Sequence, residues 1–287
     1  MERNKLTKLQ GLRYGEERAL YGSRGVWVKD CAFDGEEDGE SALKESSDVL
    51  VEQTFCNLRY PFWHVTRLEI DGCEMTEKCR APLWYSRDVL IKDTKLHGVK
   101  ALRECERVHI EDSDVISPEF GWSTRGLEMK NCTAEGEYFL LRAENVDFTD
   151  VRFRGKYSFQ YVKNAVLENC ILDTKDAFWH AENVTLKNCQ VKGEYLAWYA
   201  KGLTMIDCKI SGTQPFCYCE NLRLVNCELL DADLAFEKSE VEATLTAPVI
   251  SIKNPSRGSI TLPSVGDLIL TDEASACSVV QTAGERG

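Results

Sequence analysis

Arg142, Tyr161, His180 and Tyr199 follow one another at intervals of nineteen residues, and their types are those of a β-elimination. A guanidinium at Arg142 would neutralise a uronate carboxylate, the imidazole of His180 or the phenol of Tyr161 would take the proton so acidified, and a neighbour would protonate the leaving oxygen. Arg142, Tyr161 and His180 are therefore the catalytic candidates. The plainer alternative is a row that contacts a ligand or simply meets solvent, because Tyr and His recur easily in a repeated segment. With small insertions, the same interval brings His64, Tyr85, Glu104, Ser123, Tyr218 and Glu237 into register with them. The column just before reads Trp63, Trp84, Arg103, Trp122, Leu141, Gln160, Trp179, Trp198, Cys217 and Phe236. Aromatic faces suit sugars, whose pyranose rings present apolar C–H surfaces while polar neighbours hold the hydroxyls. On that ground His64, Tyr85, Glu104, Trp122, Trp179, Trp198, Tyr199 and Tyr218 are the candidates for ligand binding. Glycoside hydrolysis fits less well. It needs two carboxylates about 5 to 9.5 Å apart, whereas neither column holds an Asp, and Glu45, Glu104 and Glu237 are several repeats apart.

What could hold such a row in line is the repeat itself. Residues 126–239 divide into nineteen-residue units without slippage, and the register runs back with insertions to Gly25, giving eleven units. A fixed period near twenty residues marks a solenoid, whose units bury their apolar faces only against one another. Each unit opens with alternation such as Val184-Thr185-Leu186-Lys187, the period of a strand with one buried face. It then reaches an Asp or Asn (Asp30, Asp93, Asp112, Asn131, Asp150, Asn169, Asn188, Asp207, Asn226), types that tolerate left-handed backbone. A second short strand follows, and a third, aromatic-rich one closes the coil. No helical period and no LxxLxL pattern is present, which favours a parallel β-helix over a leucine-rich repeat. The reading is thus all-β: about eleven coils of roughly nineteen residues with three short strands each, in one domain. Residues 1–24 are expected to cap one end, 240–273 to form irregular strands at the other, and 274–287 to be a disordered tail. The column before the tryptophans is apolar and the one after the His/Tyr column is small. Two adjacent positions between two buried ones imply a bend or bulge that turns both partly outward.

Acidic residues outnumber basic ones 47 to 35, for a net charge of -12. No basic cluster stands out, so nucleic acid is not an expected partner. The start, MERNKLTKLQG, lacks the apolar run of a signal peptide, and no stretch reaches the length of a membrane span. The expectation is a cytoplasmic protein without membrane association. Of the 13 cysteines, Cys31, Cys73, Cys132, Cys170, Cys189, Cys208 and Cys227 share one column with Thr, Ser and Val, as a small packing position would. Cysteines in a line do not converge tetrahedrally as zinc ligands must, so neither metal nor cofactor is expected. Asp34, Glu36, Glu37 and Asp38 in the acidic insertion 34–47 lack calcium-loop spacing and are read as a solvated turn.

Units of the form NVxLxNCxxxG, with GESALKES near the start and APLWYS in the third unit, resemble a bacterial family of single-stranded right-handed β-helices of unknown function, domain of unknown function 3737, in the pectin-lyase-like superfamily. The resemblance covers about residues 5 to 273. It implies the fold and its handedness, and no activity: the calcium-binding Asp cluster and paired carboxylates of pectate lyases and polygalacturonases have no counterpart columns here. The functional expectation is a protein that binds or processes an oligosaccharide or uronate-containing ligand along the third side of each coil, lyase-like if an enzyme. The alternative is a non-enzymatic interaction scaffold. The sequence leaves the oligomeric partner open.

Overall fold

A computed structural model describes residues 1–35 and 39–282. The chain is an all-β parallel solenoid of about 14 turns, more than the eleven expected. It divides into two compact units, Met1–Asp147 and Phe148–Gly287. The only helical turns among the described residues are the short 3-10 segments Arg3–Lys5 and Glu77–Cys79. No helix among them is long and apolar enough to cross a membrane.

In the first unit, the strands Thr7–Gln10, Arg24–Lys29, Ser47–Glu52, Thr66–Asp71, Arg87–Lys92, Glu106–Glu111 and Arg125–Lys130 stack in parallel as one side of the coils. Short strands from Arg13–Tyr14 to Thr133–Glu137 form the second side. The alternation read from the sequence is the burial pattern found: Val108 and Ile110 are buried while Arg107, between solvent and strand, is exposed. The segment expected as an N-terminal cap is itself a coil, since Thr7 pairs with Val26 and Arg13 with Ala32. Its charged, irregular sequence hid the period.

The second unit repeats the plan through Lys163–Glu168, Glu182–Lys187, Thr204–Ile206 and Leu222–Leu230. Beyond residue 239 the first side continues in parallel through Glu240–Leu245, Arg257–Leu262 and Ser278–Gln281. The chain from 274 therefore holds a paired strand where a disordered tail was expected, while residues 283–287 lie outside the described residues. Small residues sit where coils approach closely. A Cβ on Gly193 would lie 2.3 Å from the Thr174 carbonyl oxygen.

Two devices keep the coils in register. The Asp and Asn turn residues all adopt left-handed backbone, as anticipated, and some bond directly to the next coil, as Asn188 Nδ2 does to Asn169 Oδ1 at 2.7 Å. Inside, like stacks on like. Phe159 and Phe178 are parallel with centroids 4.7 Å apart, and Phe120 and Phe139 do the same in the first unit at 4.9 Å.

The outer face of the first side carries one linked group. His109 lies 3.1 Å from Glu111 and 3.0 Å from Glu128, and Lys92 reaches Glu111 at 2.5 Å. Partial burial works against a charge on His109, but its hydrogen bonds to Glu111 and then Glu128 outweigh that and raise its pKa above the ordinary 6.5.

Two outcomes follow. Phe178→Ala empties a fully buried stacking position and should cost about 3–5 kcal/mol, whereas the outward Lys187→Ala should stay within about 0.5 kcal/mol; urea unfolding of both variants measures the contrast. Because the folded state holds the His109 proton more tightly than the unfolded chain, its contribution is complete below about pH 6.5 and fades as pH rises through the folded value. Thermal unfolding between pH 5.5 and 8.5 should show that decline in the parent protein and a flatter profile in His109→Gln.

Candidate functional site

The third side departs from the strand expected there. In the first unit it makes only two-residue strands, Phe62–Trp63, Leu83–Trp84 and Leu102–Arg103, paired in parallel. In the second unit it becomes a run of turns in which every second residue is left-handed: Tyr157, Phe159 and Tyr161 have φ of 56°, 57° and 57°. The pattern recurs at Asp176, Phe178 and His180, and again at Tyr195, Ala197 and Tyr199. Left-handed backbone costs an ordinary residue about 1–2 kcal/mol, so it persists only where the surroundings hold it. Main-chain bonds between coils supply the hold: Tyr161 N–H to the Trp179 carbonyl at 2.8 Å, His180 to Trp198 at 2.9 Å and Tyr199 to Cys217 at 3.0 Å. This irregular backbone gives the expected bend. Phe178 points inward, Trp179 is half-buried, His180 is exposed and Ala181 is buried.

In the second unit the exposed column forms a ladder. Tyr161, His180, Tyr199 and Tyr218 stack in sequence with centroids 4.9, 5.0 and 4.8 Å apart and planes within 10°. Each interior ring therefore turns its faces to its neighbours and its edge outward. Tyr161 and Tyr199 remain 41% and 42% exposed, so phenol hydroxyls and imidazole nitrogens line the surface at one coil spacing. The sugar-stacking role anticipated for these faces is blocked by the rings themselves. What remains is a row of hydrogen-bonding tips.

The tryptophan column has a structural task that the sequence did not suggest. Trp179 Nε1 donates to the Tyr195 carbonyl at 2.7 Å and Trp198 Nε1 to the Gln214 carbonyl at 2.8 Å. Where the column holds Gln160, its amide does the same to Asp176 at 3.0 Å. These two indoles thus satisfy corner carbonyls in the next coil, and Trp179 and Trp198 lie flat on one another at 5.4 Å and 5°. They form a wall beside the ladder.

The corners flanking the ladder carry charge, and three lysines there are each paired with a carboxylate. Lys163 meets Glu182 at 3.0 Å, Lys201 meets Glu220 at 3.0 Å and Lys175 meets Glu194 at 2.8 Å.

At the far end the columns slip by one residue. Phe236 stacks on Phe216 at 5.8 Å in the inner column, instead of joining the tryptophans, and Lys238, left-handed at φ 53°, takes the place assigned to Glu237. Glu237 instead pairs with Lys253 at 3.0 Å. The coil from Cys219 to Ser239 is one residue longer than nineteen, which rigid nineteen-residue counting could not register.

The first unit has a different aromatic group. His64 and Tyr85 stack at 5.0 Å, Trp63 and Trp84 meet edge to face at 5.0 Å, and the Arg103 guanidinium lies between Trp84 and Trp122 at 5.0 and 4.8 Å. Trp122 Nε1 donates to Tyr138. Glu104 is exposed and 3.7 Å from Arg103. Arg142, exposed with φ 58°, belongs to this unit, whereas Tyr161 and His180 belong to the second. Of the three catalytic candidates, the structure thus brings Tyr161 and His180 face to face. Among the described residues no three His, Cys, Asp or Glu side chains gather as a metal site; Glu36, Glu37 and Asp38 of the acidic insertion lie outside them.

Solved structures similar to this chain include PfbA, a surface adhesin of Streptococcus pneumoniae, at 8% identity and TM-score 0.40, covering 85% of this chain and 76% of that one. Pectate lyase Pel9A matches at 9% identity and TM-score 0.37 over 81% and 82% of the two chains. The A-module of the Azotobacter vinelandii mannuronan C-5 epimerase AlgE4 matches at 10% identity and TM-score 0.31 over 96% and 89%. Such identities carry no residue role across. No curated protein matches. Over residues 7–282, however, the sequence matches the family described as Protein of unknown function (DUF3737), and the chain belongs to that family.

Proposed function

We propose that the protein binds a neutral oligosaccharide along the Tyr161–His180–Tyr199–Tyr218 ladder and does not cleave it. The observation that carries this reading is the unbroken row of ring edges at 4.8 to 5.0 Å intervals. A hexose unit is about as long as the coil rise of about 4.8 Å, so successive sugars meet successive phenol or imidazole tips. The half-buried Trp179 and Trp198 offer an apolar flank to the C–H surface that the ladder cannot stack.

Neutrality follows from the corners. Lys163, Lys175 and Lys201 are each engaged by a glutamate at 2.8 to 3.0 Å, so a uronate would have to displace a carboxylate to gain a cation. Binding without cleavage follows from the same geometry: His180 is sandwiched between two phenols, the corner lysines Lys163, Lys175 and Lys201 are held by glutamates, and elimination requires the carboxylate to be neutralised before the proton leaves.

Calorimetric titration with neutral and uronate-containing oligosaccharides of three to six units tests the reading. Neutral ligands should bind, and Tyr199→Phe, which deletes one hydroxyl and keeps the stack, should weaken them by about 3- to 10-fold, the worth of one hydrogen bond. Unchanged affinity in both Tyr199→Phe and His180→Ala would remove the ladder from consideration. Release of unsaturated uronate products would replace binding with lyase chemistry.

A further inference from the structure

The cysteine column of the second unit does more than fill space. Cys170, Cys189, Cys208 and Cys227 occupy the same position in successive coils, each at most 1% exposed. Their thiols donate to the carbonyl two residues earlier, at 3.3 Å for Glu168, 3.2 Å for Lys187, 3.2 Å for Ile206 and 3.4 Å for Val225. In the first unit hydroxyls share that task with Cys31, Cys73 and Cys132 at the same position: Thr54 to Glu52 at 2.8 Å, Thr94 to Lys92 at 2.6 Å and Ser113 to Glu111 at 2.7 Å. The fold therefore accepts oxygen here, and an uninterrupted run of four sulfurs is not required for packing.

The column is also continuous between coils: the Cys170 amide donates to Cys189 Sγ at 3.4 Å. The result is a line of sulfur donors buried away from competing oxygen ligands.

Spacing decides what such a line can hold. In-register coils are about 4.8 Å apart. A disulfide needs Cβ atoms about 3.8 Å apart, so joining adjacent coils would pinch them by about 1 Å. A tetrahedral zinc site needs ligands converging on a point, which a straight column does not supply. A metal–thiolate bond is about 2.3 Å, so an ion held between two sulfurs spans about 4.6 Å, close to the coil rise without movement of the backbone.

We propose that the Cys170–Cys189–Cys208–Cys227 column is a binding site for soft monovalent cations of the Cu(I) and Ag(I) class, each held by two sulfurs of adjacent coils. Soft thiolates select such ions over harder ones. Each cation replaces thiol protons, which pass to water, and no electron is transferred. Three gaps between four sulfurs set the capacity.

Silver(I), which does not change oxidation state, is the probe. Native mass spectrometry of the full reduced chain titrated with Ag(I) should show three more ions in the parent protein than in a Cys170→Ser, Cys189→Ser, Cys208→Ser, Cys227→Ser variant, the cysteines elsewhere cancelling in the difference. Cys208→Ser alone should lose two ions, because that sulfur borders two gaps, and Cys170→Ser should lose one. Serine stands at this position in the coil of Ser113, and near-UV circular dichroism checks that the variants keep the fold. X-ray absorption at the silver edge should report two sulfur neighbours per bound ion. Equal stoichiometry in the parent and Cys208→Ser, three or four sulfur neighbours, or a Cys170–Cys189 disulfide in place of bound ion would each overturn the site.

Discussion

Everything in this molecule depends on parallel strands stacking in register, with one coil directly over the next at about 4.8 Å. That single constraint makes each sequence position a column, and a column succeeds when its residue tolerates a copy of itself as neighbour. Phenylalanine, asparagine, cysteine, tyrosine and tryptophan all meet the condition here by different means: parallel rings, side-chain amide bonds, thiols turned to main-chain carbonyls. Charged columns meet it by alternating sign, as with Lys163 over Glu182 and Lys201 over Glu220. The energy of the fold is thus distributed among many equivalent neighbour contacts in place of one central core.

This explains what could be read from the sequence. The period gave the coil, the turn residues gave the left-handed corners, and the shared cysteine column gave burial, because each depends only on what recurs every nineteen residues. The ends were less legible. Residues 7–14 and the strands after 239 form coils with too little of the repeated pattern to betray them, and one added residue before Ser239 moved Phe236 and Lys238 by a column.

The aromatic band was legible as a location and misleading as chemistry. Composition marks Tyr161, His180, Tyr199 and Tyr218 as exposed and unusual, but whether a ring offers its face or its edge is set by its neighbour one coil away. Stacking turned the faces inward along the column and left the tips. Likewise the tryptophans looked like a ligand platform until their indole nitrogens were seen to serve carbonyls at the corners, sixteen residues on, as in Trp179 to Tyr195 and Trp198 to Gln214. A hydrogen bond of that kind leaves no mark in hydrophobic periodicity.

The left-handed backbone beneath the ladder has its own consequence. From Glu45 through His64, Tyr85, Glu104, Ser123, Arg142, Tyr161, His180, Tyr199 and Tyr218 to Lys238, every occupant has positive φ. A side chain branched at Cβ is a severe misfit in that conformation. No Val, Ile or Thr occurs among these eleven positions. The main chain thus acts as a sieve on the alphabet, admitting residues that carry a single substituent on Cβ and withholding the branched aliphatics that would otherwise make the plainest outer wall for a β-solenoid. Polar tips and flat rings are what pass through it, so the surface acquires its chemical character from a torsion angle before any ligand exerts a demand.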